Sequence, residues 1–314
     1  MGLTDMENRD IKIVDLTISF PVKDAILTAV DAVSVDFEYN KFTGILGESG
    51  CGKSVLGLSI LSSLPSYAWK NGSIFYKNID ILTNVKAIPD FYGKEFGFIP
   101  QNPSESLNPT RTIEKQMNDI LRTNHIKDKE DVIKEQWLCY FGLSNSKNIL
   151  QSYPHELSGG MLQRVLCAMS LLCKPNWILA DEPTKGIDEA MCKTVYRNLK
   201  KMKEQADCSM IVITHDLFLA ESICDVVAIM YAGEIVEIGT QIFNKPMHPY
   251  TKGFLSARPE NGLHIMPGRC VSLTQKMMGC KFANRCLYAT MRCQKERPPI
   301  YSIAGGKVRC FLYA

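Results

Sequence analysis

No apolar run approaches the ~18 residues a membrane-crossing helix needs. The richest stretches, Val165–Cys173 and Val226–Ala232, are short enough to be core elements. Met1 to Lys12 lacks an apolar core and carries Asp5, Glu7, Arg9 and Asp10, so no secretory signal is expected there. Position 6 is Met6 rather than Ser or Thr, so Gly2 does not open a myristoylation pattern. The expected compartment is then the cytosol, where thiols stay reduced and disulfides are not expected. Net charge is small, +3, too little to argue for a nucleic-acid binder. Internal repeats and low-complexity tracts are missing. With 46% apolar and 22% charged residues, disorder and collagen-like structure are excluded.

What is there is unevenly placed. A chain of 314 residues fits one large domain plus an appendage. Residues 262–314 hold nine Lys/Arg and one acid, Glu296, a net +8, which leaves the first 261 residues at −5. Five of the 12 cysteines (Cys270, Cys280, Cys286, Cys293, Cys310) also fall in the tail. An acidic body carries a basic, cysteine-dense end.

Residues 11–20 and 29–37 alternate and predict strands. A short buried-type strand over 42–46 ends in glycines, followed by an apolar helix over Val55–Leu64 that Pro65 closes. Strands are expected at Ser73–Lys77 and Phe96–Pro100, then three helical pieces over 112–173. Strands at Trp177–Ala180, Met210–Thr214, 226–231 and 234–238 alternate with helices at 189–206 and after Asp216. Short helices around prolines are expected over 240–261. Strand–helix alternation interrupted by a helical block predicts an α/β core with an inserted helical subdomain.

Gly47-Glu48-Ser49-Gly50-Cys51-Gly52-Lys53-Ser54 matches the GxxxxGK[ST] phosphate loop, with a strand before it and a helix after. Glycines let several backbone N–H groups point at one anion, and the helix adds its positive end. Lys53 brings a full charge to the phosphates and Ser54 a hydroxyl to Mg²⁺. Cys51 is either a small residue that fits the loop or a thiol made reactive by Lys53 and the helix terminus. Further on, the apolar strand at 177–180 ends in Asp181-Glu182. Neighbouring strand residues point opposite ways, so Asp181 is assigned to Mg²⁺ and Glu182 to polarising the attacking water.

Leu157-Ser158-Gly159-Gly160 opens a helix 23 residues before Asp181, with Ser158 as N-cap and two glycines baring the helix terminus to an anion. In this order and spacing the residues resemble the ABC-transporter ATPase family over most of 11–240. The resemblance implies a P-loop NTPase cassette: a RecA-like core, an antiparallel β subdomain and a helical subdomain at about 102–173. Ser158, Gly159 and Gly160 are then the signature motif, Gln101 the Q-loop glutamine that also reaches Mg²⁺, His215 the switch histidine and Asp188 the D-loop aspartate. Phe20 is the adenine-platform candidate. Two cassettes would pair head to tail around two ATPs, each nucleotide facing the partner's signature motif. Three positions depart from the pattern: Met161 for the usual Gln, Lys185-Gly186-Ile187 for Ser/Thr-Ala-Leu, and Asn40-Lys41 for Gly-Glu. Alternatives are a soluble ABC ATPase of the repair or translation type, or a non-hydrolysing regulatory cassette. The short insertion and single phosphate loop oppose the first, the intact Lys53, Asp181, Glu182 and His215 the second.

Beyond 240, Lys245-Pro246-Met247-His248-Pro249-Tyr250-Thr251 resembles a segment of the peptide and nickel importer ATPases, as does Pro103–Pro109. Four thiols (Cys280, Cys286, Cys293, Cys310) within 31 residues of a reduced chain suggest a metal. Zinc and an iron–sulfur cluster both accept four thiolates; the lack of CxxC pairs favours the cluster. The tail also resembles the cysteines that hold a [4Fe-4S] cluster in the longer subunits of that subfamily. Cys270 falls outside the spacing, and His248 reads as structural. Arg285, Arg292 and Arg309, each before a cysteine, would offset a cluster's negative charge or sit on a solvated face. The chain divides into a cassette over 1–261 and a metal-binding tail over 262–314. The resemblance implies ATP-driven import of small peptides or nickel chelates from the cytoplasmic face of the membrane. The partners implied are a second, non-identical ATPase, two transmembrane permeases and an extracytoplasmic solute-binding protein, with no nucleic acid.

Overall fold

The first strands alternate buried and exposed side chains in segments, and the alternation changes phase at register shifts between Ile13 and Leu16 and again at Ile18–Ser19. The computed structural model describes residues 9–84, 91–126, 130–186, 189–257 and 266–314. β1 (Ile11–Val22) buries Ile11, Ile13, Leu16 and Ile18. It pairs antiparallel with β2 (Ala25–Phe37), with register shifts where Asp15 takes φ 48°. β3 (Phe42–Leu46) is buried along its whole length and leads through the glycine loop into α1 (Lys53–Ile60). β4 (Trp69–Tyr76) joins the free side of β1, and β5 (Ile79–Asp80) pairs with β4. The chain forms two compact units; these elements belong to one, together with residues from 215 onward.

Residues 86–214 form the other unit. Its sheet is parallel: β6 (Phe96–Ile99) beside β7 (Trp177–Asp181) beside β8 (Ser209–Thr214). Between β6 and β7 run α2 (Pro103–Ser106), α3 (Ile113–Thr123), α4 (Glu130–Tyr140), α5 (Ser146–Gln151) and α6 (Gly159–Leu171). α3 is capped by Thr112 and buries Ile113, Met117 and Leu121 on one stripe. Lys134 on α4 is buried but bonded to Asn118 at 2.6 Å and Asp131 at 2.9 Å. α7 (Glu189–Gln205) connects β7 to β8. The predicted helical block is therefore present.

In the first unit the chain continues through α8 (Leu217–Ile223), β9 (Val226–Tyr231), β10 (Glu234–Gly239) and α9 (Pro249–Ser256). β9 lies parallel to β3 and antiparallel to β10. The tail contributes α10 (Met291–Lys295), β11 (Tyr301–Ile303) and β12 (Gly306–Val308). β12 pairs with β10, so the tail extends the sheet. Phe282, Cys280 and Cys286 pack with Leu46, Ile229, Tyr231 and Tyr250 in one core cluster. The change of charge near 261 does not coincide with a change of packing: the tail shares its core with the phosphate-loop unit. Two acids fasten it. Lys281 meets Asp31 at 2.6 Å and Glu234 at 3.5 Å, and Arg297 meets the same two at 3.3 and 2.9 Å.

Candidate functional site

The loop after β3 has the shape its glycines allow. A Cβ at Gly47 would lie 2.1 Å from the Met230 carbonyl oxygen, and one at Gly52, where φ is +106°, 2.0 Å from that of Ala29. No side chain fits at either. Lys53 is buried and its Nζ donates to the carbonyls of Gly47 at 2.9 Å and Glu48 at 3.1 Å. The ammonium therefore already sits over the loop it would share with an anion. Ser49 and Gly50 are exposed at the tip.

Cys51 resolves in favour of the space-filling reading. It is 2% exposed, and burial pushes its thiol up to about 11 although Lys53 pulls the other way. Desolvation of the thiolate outweighs the neighbouring cation, which favours the space-filling reading over the reactive one. Phe20 is half-buried, its ring edge-on to exposed Tyr67 at 6.1 Å. His215 is exposed, followed by Asp216, whose carboxylate accepts from the Leu219 N–H and caps α8.

The other unit carries Gln101, Ser158, Gly159, Gly160, Asp181 and Glu182. Asp181 and Glu182 are both buried at the end of β7. Glu182 holds φ 46°, a left-handed conformation uncommon for a residue with a side chain, and its N–H donates to the Ile213 carbonyl at 2.8 Å. Ser158 accepts from the Met161 N–H and starts α6, with Gly159 exposed and Gly160 half-buried. The Gly160 carbonyl accepts from Arg164 Nε at 3.0 Å. Gln101 is exposed just before α2. Lys185 and Gly186 are exposed, whereas Ile187 and Asp188 lie outside the described residues.

In the tail, Cys280, Cys286, Cys293 and Cys310 line one cavity of about 200 Å³, with Phe282, Phe311 and Leu312 in its wall. Burial raises the Cys280 thiol to about 12 and also raises Cys286 and Cys310. Two sulfurs already have polar neighbours: the Tyr288 N–H donates to Cys286 Sγ, and Thr290 Oγ1 lies 3.4 Å from Cys293 Sγ. Among the described residues, no three His, Cys, Asp or Glu groups close on a point where a single metal ion could be held. Four soft donors around a void larger than one ion nevertheless suit a thiolate-bound group. His248 also borders this cavity, but its Nδ1 accepts from the Tyr250 N–H at 3.0 Å as the N-cap of α9. Burial takes it down to about 3, so it is a neutral structural histidine.

The arginines before the cysteines differ from one another. Arg292 is exposed, paired with Glu296 at 2.8 Å and stacked 4.0 Å from the Phe311 ring centroid. Arg309 donates to the Pro298 carbonyl at 3.1 Å. Arg285 is buried and reaches Glu48 of the phosphate loop at 3.1 Å. Tyr250 reaches the same residue, its Oη accepting from the Glu48 N–H at 3.1 Å. Sequence reasoning missed both contacts. The only signal was that each residue lies in a motif already singled out.

Residues 30–185 match the family model described as ABC transporter, and residues 236–293 that of the oligopeptide/dipeptide transporter C-terminal region. The dipeptide transport ATP-binding protein DppD of Bacillus subtilis is 38% identical over 296 residues, covering 90% of this chain and 88% of that protein. The oligopeptide transport ATP-binding protein OppD of Haemophilus influenzae is 34% identical over 311 residues, covering 96% of each. A dimeric ATP-binding cassette solved in a post-hydrolysis state with ADP and Pi aligns with 73% of this chain and 98% of that one. Its TM-score is 0.64 at 24% identity, a likeness of fold. With the phosphate loop, the acidic strand end and both halves of the chain accounted for, the protein belongs to the ABC transporter ATPases, in their oligopeptide/dipeptide branch.

Proposed function

We propose that this chain is the ATP-hydrolysing subunit of an importer for small peptides. The observation that carries the reading is the phosphate loop, with Lys53 already bonded over its own carbonyls, in a chain similar along nearly its whole length to peptide-transport ATPases. Gly47, Glu48, Ser49, Gly50, Cys51, Gly52, Lys53 and Ser54 would wrap the phosphates, and Phe20 would offer a face to adenine. Lys53 leaves its two carbonyls for the phosphate oxygens. Ser54, Gln101 and Asp181 would hold Mg²⁺, which neutralises charge developing on the phosphates. Glu182 takes the proton of the attacking water, and His215 steadies the γ-phosphate. Ser158, Gly159, Gly160 and Asp188 act on the nucleotide of a second cassette.

Such a subunit works beneath two permeases on the cytoplasmic face, with a solute-binding protein opposite; among the described residues no helix is long and apolar enough to cross a membrane. Peptides are favoured over nickel chelates because the named relatives transport dipeptides and oligopeptides. Cys280, Cys286, Cys293 and Cys310 would hold a [4Fe-4S] cluster. A cavity of about 200 Å³ supports this over a single zinc ion, since one water-sized occupant needs only ~15 Å³.

The test uses the assembled transporter. Glu182→Gln should keep ATP binding and lower hydrolysis about 10²–10⁴-fold, while Lys53→Ala should lose binding. Wild-type turnover in Glu182→Gln would remove the base assignment. Peptide uptake measured against nickel-chelate uptake decides the cargo, and iron and sulfide analysis of anaerobically purified protein decides the cluster.

A further inference from the structure

Glu48, the second residue of the phosphate loop, is gripped from three sides. Its N–H donates to Tyr250 Oη at 3.1 Å. Its carbonyl accepts from Lys53 Nζ at 3.1 Å. Its carboxylate receives Arg285 Nη1 on both oxygens, each at 3.1 Å. Only the Lys53 contact comes from the motif itself.

These contacts will not all persist when an anion arrives. Lys53 must leave the Gly47 and Glu48 carbonyls to reach a phosphate, which frees the loop at the moment it needs a fixed shape. Tyr250 and Arg285 have no such second task. A carboxylate beside a phosphate site is also an electrostatic problem, because like charges a few ångströms apart repel strongly where water is partly excluded. Arg285 meets both needs: it neutralises the carboxylate and fixes its direction. It is itself immobilised. Its side chain is 7% exposed, its Nε donates to the Pro267 carbonyl at 3.1 Å, and its guanidinium lies 5.7 Å from the Tyr231 ring centroid and 5.8 Å from that of Phe282. Both contacts come from one nitrogen, Nη1, so what distinguishes arginine here is its rigid plane held against two aromatic rings, which a flexible lysine stem would not reproduce.

The position of Arg285 in the chain matters as much. It ends a 3₁₀ turn, Ala283–Arg285, whose first residue Ala283 lines the four-cysteine cavity together with the flanking Phe282 and Cys286. A turn forming one wall of that cavity thus ends on the phosphate loop.

We propose that Arg285 is a positioning residue of the nucleotide site, holding the phosphate loop through Glu48 and thereby making the cysteine-bearing tail a working part of that site. The inference rests on the loop being the ATP site. On this reading the tail over 262–314 could not be removed with nucleotide binding unchanged.

The experiment is a double-mutant cycle on the full chain, reading the Kd for Mg-ATP by calorimetry and the thermal midpoint alongside. Arg285→Gln should raise Kd about tenfold, because Glu48 then faces the phosphates unpaired. In a Glu48→Gln background the same change should alter Kd less than about twofold, since no charge remains to neutralise. A role confined to holding the tail together would lower the thermal midpoint and shift Kd equally in both backgrounds, and that result overturns the proposal. So does an Arg285→Gln Kd within twofold of wild type. If Arg285→Gln does not fold, Arg285→Lys in the two backgrounds gives the same comparison: a Kd change that depends on Glu48 supports the proposal, and one that does not overturns it. Wild type that binds no Mg-ATP, or Lys53→Ala that binds it equally well, would instead dismiss the loop as the nucleotide site.

Discussion

The phosphate loop and the four-cysteine cavity share one compact unit but are built by opposite means. The loop is eight consecutive residues whose path its own glycines permit, two of them where a Cβ would strike a carbonyl of a neighbouring strand. The cavity collects four side chains spread over 31 residues, and little regular structure connects them. What holds it is borrowed: a sheet edge, a shared aromatic cluster and paired charges on Asp31 and Glu234. A self-shaped motif fails when its backbone is altered, whereas a borrowed pocket fails when its struts are cut.

Cutting a strut should have the largest effect. Glu234 is buried among Lys281, Arg297 and Arg309, and burial still pushes its carboxyl upward despite all three cations. Glu234→Ala would leave Lys281 and Arg297 to share Asp31, would take away the carboxylate beside Arg309, and should cost about 3 kcal/mol in urea unfolding. A cost below about 1 kcal/mol would mean that hydrophobic packing alone carries the tail.

Next comes the loop backbone. Gly52→Ala places a Cβ 2.0 Å from a carbonyl oxygen at φ +106° and should destabilise by about 2–4 kcal/mol. Gly50→Ala, with φ +78° but nothing within 4 Å, should cost only about 1 kcal/mol. Equal losses at the two positions would show that φ alone, and not the close approach, shapes the loop.

A smaller effect follows from His248, on the cavity's border. Its folded value, about 3, lies below its ordinary 6.5, so the unfolded chain binds the extra proton between those limits. Stability therefore falls as pH drops through this window, by about 2 kcal/mol between pH 6.5 and pH 5. His248→Asn keeps a cap acceptor and should flatten that part of the pH profile; an unchanged slope would assign it to other groups.

The smallest signal is kinetic. Cys51, buried and raised to about 11, should react with iodoacetamide much more slowly than exposed Cys139, by mass spectrometry of the native protein. Comparable rates would mean that the loop opens widely in solution.

The α/β order, the strands at 11–20, 42–46 and 177–180 and the helical block could be read from the sequence, because alternation and apolar runs are local signals. The phosphate loop was legible for the same reason. β11 and β12 were not, since strands of three residues carry no periodicity; β12 exists by pairing with β10, and β11 by pairing with β12. The fate of Cys51 was also hidden: proximity to Lys53 is visible in sequence, but burial is not, and burial is the larger influence.

By itself, then, the sequence determined what can be written within a short span: the glycine-rich GxxxxGK[ST] loop, the paired acids at the end of β7, the capped helix at Ser158 and the spacing of the tail cysteines. Tertiary structure alone decided which distant groups meet. It drew the four cysteines around one void and set Arg285 and Tyr250 on Glu48, more than 200 positions away in each case. Local motifs are fixed by backbone geometry, whereas such meetings depend on how β3, β9 and the tail pack into a common core, which no short span of residues encodes.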